Sequence, residues 1–191
     1  MASRVSIANI AMTILGADRI TSFEDNAENP RRLTAIYDEC VEDVLRSHPW
    51  NFAIVRAQLA RLSSTPAFGF DYEFQLPGDC LRVIEVNDGT MIIKDSDFKI
   101  EGRKLLSDKD SLYVKYIGNV TDPNQYTSQF IYVLASRLAA ELAYAITNNK
   151  ATAEFVANLY AARLQTAKEN DAQESNSIYT QDEDLWVAEN R

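Results

Sequence analysis

Apolar residues near the start of the chain recur at helical spacing. Ile7, Ile10, Ala11, Ile14 and Leu15 form one stripe, which predicts a helix from about Ser3 to Leu15. Gly16 follows, free to take the left-handed backbone that ends a helix. Beyond the polar, acidic loop from Thr21 to Asn29, a second stripe runs Leu33, Ile36, Tyr37, Cys40, Val41, Val44, Leu45 and His48. Asn29 reads as its N-cap and Pro30 as its first residue, with Pro49 as its stop. From Asn51 to Gly118 the period changes. Tyr72, Phe74 and Leu76 alternate with Asp71, Glu73 and Gln75, and Leu112, Val114 and Tyr116 repeat the pattern. Leu81 to Val86, Met91–Ile93 and Phe98–Ile100 add short strands between turn signals, and Ala53 to Leu62 reads as a strand with a helical turn as the alternative.

A third helix opens with Asp122 as its N-cap and Pro123 as its first residue. Phe130, Ile131, Val133, Leu134, Leu138, Leu142 and Ile146 carry it to about Thr147, apolar over most of its circumference. Asn148-Asn149 break it. A fourth helix, from about Ala151 to Ala172, carries the stripe Phe155, Val156, Leu159, Tyr160, Arg163 and Leu164. Two long helices with so short a break should lie antiparallel. From Asp171 the periodicity is lost. Seven acidic and two basic residues from Lys168 onward place more than half of the net charge in the last eighth of the chain. The expected architecture is α+β: a four-helix bundle with a small antiparallel β-lobe inserted between helices 2 and 3, and an extended C-terminal tail. In domain terms, 1–50 and 119–173 form the bundle, 51–118 the lobe and 174–191 the acidic tail.

Composition narrows the function classes. The chain is 46% hydrophobic and 25% charged, the range of a globular protein of one ordinary domain. No apolar run approaches the roughly 18 residues of a membrane helix, and the N-terminus leads into an amphipathic segment, so a soluble, cytoplasmically made protein without a membrane partner is expected. Net charge −9 without a Lys/Arg cluster argues against gripping a phosphate backbone. Cys40 and Cys80 sit among apolar neighbours and read as reduced core thiols. One histidine and no Cys-x-x-Cys pair leave no metal site, no phosphate-loop motif occurs, and no cofactor is expected.

Catalytic residues are equally unsupported. The sole histidine, His48, falls on an apolar stripe before a proline, where a packed or capping role outweighs a catalytic base. Asp71 with Glu73, and Asp95 with Asp97 and Glu101, read as solvated surface. Two clusters stand out. His48, Pro49, Trp50 and Phe52 mark the junction of bundle and lobe, where two aromatics would plug the seam. In the tail, Asp184, Leu185, Trp186 and Val187 read as an interface anchor, because a tryptophan stranded among acids is costly to leave in water.

The residues also resemble a known group. Ile14-Leu15-Gly16 with Ile20-Thr21-Ser22, Leu45 through Ala53 (LRSHPWNFA), Phe68-Gly69-Phe70, Leu76 through Val83 (LPGDCLRV) and Leu138 through Ala143 (LAAELA) resemble the phage tail tubular protein A and head-to-tail adaptor group of short-tailed phages. The likeness covers nearly the whole chain, the C-terminal tail least. It implies a non-enzymatic virion structural protein assembled in the host cytoplasm. Its ring, of twelve copies, would join the portal protein to the tail nozzle protein, with DNA passing through during genome ejection without specific binding. A tail-associated glycan hydrolase and another head-completion or assembly factor are the alternatives.

Overall fold

The computed structural model describes residues 2–176. Among them are four α-helices: α1 (Arg4–Leu15), α2 (Glu28–Arg46), α3 (Ser128–Thr147) and α4 (Lys150–Asn176). Seven strands lie between α2 and α3: β1 (Ile54–Gln58), β2 (Ala60–Arg61), β3 (Tyr72–Gln75), β4 (Cys80–Asn87), β5 (Phe98–Glu101), β6 (Lys104–Ser107) and β7 (Tyr113–Gly118). The chain divides into two compact units, one made of the stretch up to Phe52 together with that from Val120, the other of Ala53–Asn119.

The helical unit is built around α3. Ser3 caps α1 through a reciprocal bond with Ser6, and Gly16 closes it at φ 66°. α2 begins at Glu28, so Asn29 and Pro30 lie inside its first turn rather than at its cap. Asp122 and Pro123 open only a short 3-10 turn, not the third helix as expected, because Thr127 supplies the cap of α3, its hydroxyl accepting from the Phe130 amide at 3.2 Å. Phe130, Leu134, Ala135, Leu138 and Ala139 are fully buried in α3, and α1, α2 and α4 all pack on it. Being covered on several sides is why α3 is so apolar. Contrary to the expectation that no stretch comes near a membrane span, α3 is long and apolar enough by length and composition, at a mean hydropathy of 1.4, yet half of it is buried within the protein.

The expected four-helix bundle is not what forms. In such a bundle each helix buries a full stripe in a shared core. Here α4 is unlike the rest: Val156, Ala167 and Asp171 are buried, while Phe155, placed on the inner stripe by its spacing, is 65% exposed.

The β-unit is the second correction, being two antiparallel sheets rather than one small lobe. The first has the order β1-β7-β4 and the second the order β2-β3-β6-β5. The segment Ala53 to Leu62 is two strands in different sheets, and at Leu59, whose amide donates to Leu112 O at 2.8 Å, the chain passes from one to the other. β6 escapes the alternation rule because Leu105 and Leu106 are both buried, one on each face, so the strand shows no polar side to read. It pairs with β3 and β5 and thereby makes the second sheet. Met91–Ile93 contributes only an isolated bridge from Ile92 to Asn87. One apolar core, with Phe74, Leu105, Leu112, Val86 and Val114 at its centre, serves both sheets.

Candidate functional site

The cluster His48-Pro49-Trp50-Asn51-Phe52 lies just past the end of α2. Helix α2 stops at Arg46, which leaves carbonyls without helical partners. The Trp50 indole Nε1 donates to Val44 O at 2.8 Å, and the Ser47 hydroxyl donates to the same oxygen at 2.7 Å. Trp50 is 1% exposed, the depth at which an indole N–H needs such an acceptor. Its ring meets His48 edge-on at 5.0 Å and Phe130 edge-on at 5.3 Å, while Phe52 meets Phe130 at 4.9 Å and Tyr126 at 5.8 Å. All of these residues belong to the helical unit. Burial pushes the Tyr126 phenol up to about 12, and its hydroxyl donates to Val120 O at 2.8 Å.

Asp171 completes the cluster, although its position in the sequence suggests the start of the aperiodic end. Helix α4 continues past it to Asn176, and Asp171 is 5% exposed. Its Oδ2 lies 3.1 Å from His48 Nε2, its carboxylate accepts from the Asn51 amide at 3.2 Å, and its own carbonyl accepts from Asn51 Nδ2 at 2.8 Å. The signal was present: Val156, Tyr160, Leu164, Ala167 and Asp171 follow one another at helical spacing, so Asp171 stands on the inner stripe. The arrangement is a clamp that ties the bend after α2 to the far end of α4.

Other candidates are placed as follows. Glu73, expected on a solvated face, is 9% exposed. It is ion-paired to Lys104 Nζ at 2.7 Å and accepts from the Ser64 hydroxyl at 2.8 Å, which holds its carboxyl below the usual carboxylate range. Asp71, by contrast, is exposed, as expected of a solvated face. Asp95 and Asp97 fall in a short 3-10 turn and Glu101 pairs with Lys99 at 2.8 Å. Cys40 and Cys80 are free and buried, and burial pushes the Cys40 thiol up to about 12, so it stays protonated at neutral pH. Among the described residues no group of three or more histidine, cysteine or acidic side chains could hold a metal ion. The residues Asp184, Leu185, Trp186 and Val187 lie outside the described residues.

Two surface features remain. The outward face of the first sheet sets Arg56 opposite Lys115 and Lys115 opposite Glu85, flooring a shallow cleft of about 250 Å³ with Gln58, Asn87 and Tyr113. The other is an apolar groove of about 440 Å³ between α3 and α4, lined by Gln129, Tyr132, Val133, Ala162, Arg163, Thr166 and Ala167. Tyr132 and Tyr144 on α3 are 51% and 58% exposed, and Phe155 on α4 is 65% exposed. Compared with protein-family models and with curated proteins, the chain matches none.

Proposed function

We propose that this protein is a virion structural protein, the adaptor whose ring joins the portal to the tail nozzle and surrounds the path of DNA ejection. The residues that resemble the head-to-tail adaptor group are one support. The observation that carries the reading is the open outer side of the α3–α4 hairpin. Among the described residues, a helix of 27 residues buries Val156, Ala167 and Asp171 but leaves Phe155 65% exposed. Exposed aromatic side chains such as Phe155 suit contacts with neighbouring subunits, where aromatics are enriched. The acidic balance, net −9, suits a channel wall along which phosphate slides without sticking.

The test is to mix the purified chain with the portal protein encoded alongside it and weigh the complex by native mass spectrometry. A stoichiometric ring on the portal, with twelve copies as the count the resemblance implies, is the expected result. No association with a portal that binds its other partners overturns the proposal.

A further inference from the structure

We propose that the apolar groove between α3 and α4 is the docking site of the chain's own C-terminal segment, with Leu185 and Trp186 in the groove and Asp182, Glu183 and Asp184 at its rim. Three observations meet here. The groove is apolar and shallow-walled for a chemical reason: Ala162, Thr166 and Ala167 are small, Val133 backs it, and nothing among the described residues covers it. Its rim carries Arg163, whose guanidinium is held by the Ser136 hydroxyl at 2.6 Å and stands 5.5 Å from the Tyr132 ring centroid. Among the described residues Arg163 pairs with no carboxylate, so its charge is open to an acidic segment. The segment after Asn176 supplies the complement: a run of three acids followed directly by a leucine and a tryptophan.

The reach also fits. From Ala167 to the end of α4 at Asn176 is nine residues, about 14 Å of helix at about 1.5 Å per residue. From Asn176 to Leu185 is another nine, about 30 Å when extended at about 3.3 Å per residue. The chain can turn back along α4 with length to spare. Tethering then raises the local concentration of the motif, so a modest intrinsic affinity is enough to keep the groove filled.

Acrylamide quenching of Trp186 tests this, read as the difference between the full chain and a Trp186→Phe variant. Trp50, at 1% exposure, gives a protected background. Trp186 is expected to be quenched several-fold less than in a free peptide spanning 177–191. Ala162→Glu and, independently, Thr166→Glu should each raise its quenching to the peptide's level, because both put an anion where the acidic run must pass. Both positions are exposed on α4, and circular dichroism confirms that the variants fold. Peptide-like quenching in the unmodified chain overturns the proposal, as does protection that survives both substitutions. Protection that grows with protein concentration also overturns it, assigning the groove to the segment of a second copy. The proposal does not rest on the adaptor reading: portal binding can fail while Trp186 stays protected, and the reverse.

Discussion

Asp171 shows how one side chain can organise the bend after α2, from which it is remote in sequence. Its carboxylate receives the Asn51 amide and the His48 ring across a separation of more than a hundred residues. Asp171→Ala removes the carboxylate that this part-buried amide donates to, and should lower unfolding free energy by about 1–3 kcal/mol in urea titrations. Asp88 acts locally instead. Its carboxylate accepts from the Thr90 hydroxyl at 2.7 Å and from the Met91 and Thr90 amides at 3.0 Å, which draws its pKa from the ordinary 3.8 down to about 2. A carboxyl whose folded pKa is depressed stabilises the fold fully above its unfolded pKa and loses that contribution as pH falls through the folded one. The gap in urea midpoint between the unmodified chain and Asp88→Asn should therefore shrink between about pH 4 and about pH 2. A gap that stays constant over that window would refute the assignment.

Among elements, α3 is the buried helix and α4 the more exposed one. Leu138 in α3 is completely buried, so Leu138→Ala should cost about 2–5 kcal/mol through lost burial and the cavity left behind. Phe155 in α4 is 65% exposed, and Phe155→Ala should change stability by no more than about 0.5 kcal/mol. Under the adaptor reading the same Phe155→Ala chain should assemble less well on the portal, a loss visible by native mass spectrometry with no change in the melting curve. The spacing of Phe155 with Val156 and Leu159 read as an inner stripe because periodicity reports that a face is apolar, not what covers it. β6 is the converse case. Lys104-Leu105-Leu106-Ser107 carries no alternation because both of its leucines are buried, and only its pairing with β3 and β5 identifies it.

For the whole molecule, the β-unit is an insertion whose two ends meet. Ile54 pairs with Ile117 across β1 and β7, so their Cα atoms stand about 5 Å apart, as antiparallel neighbours do. The unit also has its own apolar core. Replacing 54–117 by a short Gly-Ser linker should leave the helical unit folded, with its helical circular dichroism signal and a cooperative melt retained. Loss of both would mean that the helical unit depends on the insertion. Local forces made legible what they control: the four helices, their stops at Gly16 and Asn148, and the change of period after Asn51, whereas the start of α3 fell at Thr127 rather than at Asp122. These depend on backbone preferences and on neighbours a few residues away. The tertiary structure alone decided that the strands form two sheets, that α4 leaves Phe155 open, that Glu73 is buried against Lys104 and that Asp171 grips Asn51. Each of these turns on a partner far along the chain, and whether a polar group can be buried is settled by the partner that satisfies it.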